Sequence, residues 1–210
     1  MSATVVAGLV VAALAWAVLF VPGASTEFGP RRPGFWHRAL PAGLAIGLYG
    51  AVAQRHRLDD LWRPEALDVA VGVLAAPGLY CVFWVGDRAL RRLLPALAAG
   101  VGELYEVSAS SRPRLVPVVV VAVGASEEMF WRGFVQARAG VLVALVGYAA
   151  VHLWERKAAL VLAALVGGAA WSALFAWRET LVAPVVCHVL WDLALVLWFP
   201  LRPVSRTGGG

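Results

Sequence analysis

The sequence predicts an all-α integral membrane protein, a polytopic bundle of about seven transmembrane helices plus an interfacial amphipathic helix. Three observations predict it. Hydrophobic residues make up 61% of the 210-residue chain and charged residues only 15%, and the mean hydropathy is +0.76, values that exclude an ordinary soluble domain. The charges collect in short gaps between apolar runs, most of them close to the roughly 20 residues that a helix needs to cross hydrocarbon. Lys+Arg number 18 against 13 Asp+Glu, and the basic residues, nearly all Arg, occupy those gaps. That is the positive-inside pattern of a membrane protein rather than a nucleic-acid footprint.

The runs follow in order. Ala3–Val21 precedes the first charge, Glu27, and "MSATVVAGLV" has no basic leader. A retained first helix is therefore expected rather than a cleaved signal peptide, although "VPGAS" offers small residues near its end. Ala39–Ala53 lies between Arg38 and Gln54, and Val69–Gly86 between Asp68 and Asp87. Leu115–Val135 is interrupted only by "SEEMFWRG". Ala139–Trp154, Ala158–Trp177 and Leu181–Leu201 complete the set. The second and fifth runs are short, as expected of tilted or partial spans.

The long connection Asp87–Arg114 places Leu90, Leu93, Leu94, Leu97, Val101, Leu104 and Tyr105 at helical spacing. Arg88, Arg91, Arg92, Glu103 and Glu106 fall elsewhere on the wheel. This pattern predicts a helix lying in the interface, broken or started at Pro95, either as an anchor for the next span or as an entry element. The expected organisation is N-terminal helices and interfacial helix over 1–114, a core over 115–201, and a disordered Gly-rich tail over 202–210. Basic residues concentrate in the odd connections and the tail, from Arg31, Arg32 and Arg38 through Arg88, Arg91 and Arg92 to Arg202 and Arg206. The even connections hold only Arg55, Arg57, Arg63, Arg138 and Arg178. With seven spans this puts the N-terminus outside and the tail inside. Cys81 and Cys187 both lie in apolar runs and read as buried thiols rather than a disulfide framework.

Ionisable side chains at membrane depth cost roughly 2.5–3.5 kcal/mol each on insertion scales, so they usually face the bundle interior and mark function. Glu127, Glu128 and Arg132 lie in the fourth run, His152 in the fifth, and His188 and Asp192 in the seventh. Glu128 and Arg132 are four apart in the favourable acid-first order and share a helix face. Glu127 is rotated about 100° from Glu128 and points elsewhere. It is then a surplus carboxylate in a dry site, able to take and give a proton, which suits a general base. His188 and Asp192 are also four apart; they form either a simple buried hydrogen-bonded pair or part of a shared site. His152 alone would read as an interface histidine. With about 1.5 Å of rise per residue, Glu127 lies roughly 12 Å from the outer end of its run, His188 roughly 10 Å, Asp192 roughly 16 Å and His152 roughly 20 Å. Convergence on one chamber is the economical account.

At these residues the chain resembles the CAAX-processing and bacteriocin-processing intramembrane proteases, also called the CPBP or Abi family. "EEMFWR" resembles their Glu-Glu-x-x-x-Arg signature, "YAAVH" their Phe-x-x-x-His motif and "HVLWD" their His-x-x-x-Asn/Asp motif. The resemblance covers about Leu115–Leu201. It implies peptide-bond hydrolysis within the membrane, with Glu127 and His152 activating water and His188 and Asp192 stabilising the oxyanion. Glu128 and Arg132 would support the site. Two positions depart from the pattern. Tyr148 replaces the usual Phe and adds a hydroxyl that needs a partner. Asp192 stands where many members have Asn, and an ionised Asp cannot donate to an oxyanion, so orienting a protonated His188 is its expected role.

The soluble-zincin pattern H-E-x-x-H is absent, and no cofactor is expected, although Glu127, His152 and His188 are a chemically sensible zinc set. Cys187, beside His188, diverges from it on the helix and is not expected to act as a nucleophile. The expected partners are the lipid bilayer and a membrane-anchored protein or peptide substrate, with no nucleic acid. The Ala/Val/Leu/Arg-rich composition suits a bacterial inner membrane and a C-terminal sorting signal, a myxosortase-like role among them. Two other classes stay open: a non-catalytic binding or immunity protein of the same fold, and a transporter or proton relay, which also uses buried Glu, His and Asp. The absence of a detectable repeat argues modestly against the transporter.

Overall fold

The computed structural model describes residues 1–20, 35–95, 115–199 and 201. Among the described residues the chain is helical with no strand, an all-α membrane protein whose seven longer rods overlap the seven apolar runs, with a short helix over Leu58–Leu61 between the second and third. These are α1 (Ala3–Phe20), α2 (Phe35–Ala53), α3 (Ala66–Leu93), α4 (Leu115–Glu128), α5 (Val141–Val151), α6 (Ala158–Arg178) and α7 (Val182–Leu193). α1, α3 and α6 are long and apolar enough to cross a bilayer unaided. The other rods are shorter or carry polar residues. α4 continues as a π-helix over Met129–Gln136, α5 as a 3-10 turn over His152–Glu155, and α7 as a π-helix over Ala194–Trp198. π-helical turns are rare and concentrate at functional sites; here one begins directly after Glu128.

Two expectations are corrected. Asp87 to Leu93 do not open a separate interfacial helix but extend α3, which runs unbroken through Gly86 to Leu93. The reason is local: Arg91 bonds Asp87 at 2.7 Å one turn back, so the polar residues pair along the same helix instead of ending it. The rest of the proposed interfacial helix, 96–114, and the tail 202–210 lie outside the described residues. Cys81 is exposed on α3 rather than buried, whereas Cys187 is buried, and both are free thiols.

The bundle is built round α4. It packs against α2 and α7, its π-helical extension meets α5, and α1 closes the circuit between α2 and α5. α6 lies between α5 and α7, and α3 covers the outer side of α7. Close approach of α2 to α4 depends on Gly43, Gly47 and Gly50, a small-residue stripe of the kind that lets helices meet in lipid. A Cβ on Gly47 would stand 2.6 Å from Ser126 Cβ and 2.9 Å from Ser126 Cα. Because the second of these is backbone, Gly47→Ala must separate the two helices just before Glu127. We expect a loss of about 1–3 kcal/mol, measured as a lower unfolding midpoint in detergent. Gly78→Ala, with nothing within 4 Å of its Cβ, should be neutral or slightly stabilising.

Polar contacts fasten one end of the bundle. Gln54, almost fully buried, donates to the Gly133 carbonyl inside the π-helix at 2.6 Å and accepts from Arg138 at 3.0 and 3.1 Å. Arg178, at the end of α6, holds the fully buried Asp68 at the start of α3. Each contact satisfies a buried group that would otherwise cost on the order of 1–3 kcal/mol.

Candidate active site

The two carboxylates of "SEEMFWRG" serve different partners because adjacent helical positions diverge. Glu128, fully buried, accepts from Arg132 Nη1 at 3.0 Å and from His188 Nδ1 at 2.7 Å, both at Oε1. Glu127, 7% exposed, turns toward α5, where the Tyr148 hydroxyl donates to its Oε2 at 3.1 Å. The expected division into a paired acid and a surplus acid is present.

Both terminal nitrogens of Arg132 are held, while its Nε has no hydrogen-bond partner among the described residues. Its second terminal nitrogen donates to the Gly168 carbonyl of α6 at 3.0 Å. Its guanidinium carbon lies 4.9 Å from the Tyr148 ring centroid and 5.4 Å from that of Trp171, within cation–π range. A charge that is 1% exposed needs such partners, since an isolated one would be prohibitively costly in hydrocarbon.

α7 brings His188 and Asp192 to the same face, as their spacing requires. His188 Nε2 lies 3.5 Å from Asp192 Oδ2 and 4.0 Å from Glu127 Oε2. The His188 hydrogen bond runs from Nδ1 to Glu128, not to Asp192, so the pair is not the self-contained buried couple that the spacing alone allows. A carboxylate accepts, so Nδ1 carries the proton, and Nε2 is the nitrogen turned to Glu127 and Asp192. The His188 ring stacks on Trp171 at 3.7 Å and 15°, which fixes its plane. α4 comes close to α7 at this level through Gly124, whose Cβ would stand 3.3 Å from Val189 and 4.0 Å from Asp192 Oδ2.

His152 sits one residue removed from this group. Its Nδ1 donates to the Tyr148 carbonyl at 2.7 Å, and its ring lies 4.7 Å from the Tyr148 ring and 5.9 Å from Trp16. Nε2 is 3.8 Å from Glu155. His152 therefore connects to Glu127 through Tyr148 rather than directly. Glu127, Glu128, Arg132, His188 and Asp192 form one contiguous polar cluster from two helices, and Tyr148 joins the third helix to it. Among the described residues no group of three His, Cys, Asp or Glu side chains is placed to hold a metal ion, so the zinc set of Glu127, His152 and His188 is not assembled.

Two contributors carry no sequence motif. Trp171 and Gly168 lie in "GGAAWSA", which reads as an ordinary apolar helix, and what they supply is a ring face and a backbone carbonyl. The hydroxyl of Tyr148 was visible as a group needing a partner, and that partner is Glu127. The Gly43, Gly47 and Gly50 stripe, at spacings of four and three, was the readable signal for the α2–α4 contact.

A family model described as Type II CAAX prenyl endopeptidase Rce1-like matches residues 110–194. This segment contains every member of the polar cluster. No curated protein and no solved structure matches the chain. Helical architecture, the polar cluster inside it and the matched segment agree: over residues 110–194 the chain is similar to the CAAX-processing type of intramembrane protease.

Proposed function

We propose that this protein is an endopeptidase that hydrolyses a peptide bond of a membrane-anchored protein or peptide, with Glu127 as general base. One observation carries the reading. Of two adjacent buried acids, Glu128 is engaged by Arg132 and His188, whereas Glu127 is held only by a neutral hydroxyl and faces an imidazole.

In the proposed reaction Glu127 and His152 hold a water molecule. An O–H bond of the water breaks and its proton goes to Glu127, while the oxygen bonds to the scissile carbonyl carbon. The carbonyl π pair moves to its oxygen, and the oxyanion is met by His188, protonated at both nitrogens. Asp192 and Glu128 flank that imidazolium and balance its charge. Collapse of the intermediate breaks the C–N bond, and Glu127 returns its proton to the departing amine. No covalent intermediate is formed. Arg132 holds Glu128 in place. The substrate class proposed is a bacterial C-terminal anchor or sorting signal, and the site of action the inner membrane, on the composition and Arg distribution of the chain.

The test is mass spectrometry of membrane-anchored proteins from cells carrying wild-type or Glu127→Ala protein at matched levels. A set of C-terminally truncated products present in wild type and absent in the variant is expected. Identical product sets in both strains would remove the endopeptidase reading and favour a binding or immunity protein of the same fold.

A further inference from the structure

Tyr148 touches several members of the site at once. Its ring is 4% exposed and confined by Trp131 at 5.7 Å, Trp171 at 6.1 Å and His152 at 4.7 Å. Gly168 lies against it, since a Cβ there would stand 3.1 Å from Tyr148 Cδ1. The guanidinium of Arg132 covers the ring at 4.9 Å. A side chain so enclosed has one rotamer, and its two polar atoms are aimed at different members of the site. The hydroxyl donates to Glu127 Oε2 and the main-chain carbonyl accepts from His152 Nδ1.

We propose that Tyr148 is a positioning residue for the reaction, holding both halves of the water-activating pair at once. With Oε2 of Glu127 and Nδ1 of His152 occupied, Oε1 of Glu127 and Nε2 of His152, the latter 3.8 Å from Glu155, are the atoms that would hold water. The carboxyl plane of Glu127 is set by the hydroxyl, and the tautomer of His152 is set by the carbonyl, because a carbonyl can only accept. Phe at this position would keep the second function and lose the first. The inference rests on the endopeptidase reading for its catalytic consequence but not for the contact itself.

The experiment has two arms, both on the full chain. In proteoliposomes, infrared difference spectra identify the Glu127 carboxyl band by its loss in Glu127→Gln; in Tyr148→Phe that band is expected to shift. In cells, the Glu127-dependent truncated products are expected to fall by about tenfold to a hundredfold in Tyr148→Phe, the range of a hydrogen bond to a charged group. Tyr148→Leu separates hydrogen bonding from packing: its unfolding midpoint should drop, that of Tyr148→Phe should not, and products should fall in both. An unmoved band overturns the proposal, and so does a shifted band with wild-type product levels. If wild-type cells yield no Glu127-dependent product, the endopeptidase reading fails and the positioning role fails with it, while the band still reports whether the contact exists.

Discussion

Glu127→Gln is expected to lower turnover by about 10²- to 10⁴-fold, the usual worth of a positioned general base, with little change in the unfolding midpoint. The amide has the volume of the acid and its oxygen still accepts from Tyr148, whose hydroxyl bonds Oε2 in the native chain. What it loses is the ability to take a proton. Turnover would be followed in proteoliposomes on the substrate returned by the proteome comparison, with thermal unfolding measured on the same preparation. The neighbouring substitution makes the contrast. Glu128→Gln removes the negative charge shared by Arg132 and His188, so it should lower stability as well as activity. A Glu127→Gln protein that retains cleavage within tenfold of wild type would end the assignment of this residue as the base.

Arg132→Met is expected to be the most destabilising single substitution in the bundle. Glu128 is fully buried, and without Arg132 its carboxylate keeps only His188 and one oxygen that has no partner. Breaking a buried pair from one side costs about 3–5 kcal/mol, because an uncompensated charge remains. For a chain of this size each kcal/mol moves the midpoint by about 2–4 °C, so a fall on the order of 10 °C should appear in a detergent melt. The double variant Arg132→Met/Glu128→Leu should recover part of that loss, since both charges leave together. Recovery should be incomplete because His188 Nδ1 then lacks its acceptor. A single variant as stable as the native chain would show that the pair is not what holds α4, α6 and α7 in register.

Much of this was legible in the residues. The seven apolar runs became seven rods because each must satisfy its own backbone groups in lipid, where helices are the only open-chain solution. The 3.6-residue period placed Glu128 with Arg132 and His188 with Asp192, and sent Glu127 to another face. Periodicity says nothing about contacts between helices. That His188 would donate to Glu128 across 60 positions, rather than turn wholly to Asp192 on its own helix, depends on how closely α4 and α7 approach at Gly124. The extension of α3 through Asp87 was missed because the charged residues there read as a boundary, whereas an i,i+4 pair let them stay in the helix.

By itself the sequence determined that the chain lives in a membrane, that its polar residues fall on three rods, and which acid on α4 would be paired. These follow from composition and local geometry, which one segment carries alone. Only the tertiary structure decided that Tyr148 reaches Glu127, that Trp171 fixes the ring of His188, and that a Gly168 carbonyl accepts from Arg132. Those contacts join residues 21, 17 and 36 positions apart, and they exist because small residues let the rods come close enough for short polar groups to meet.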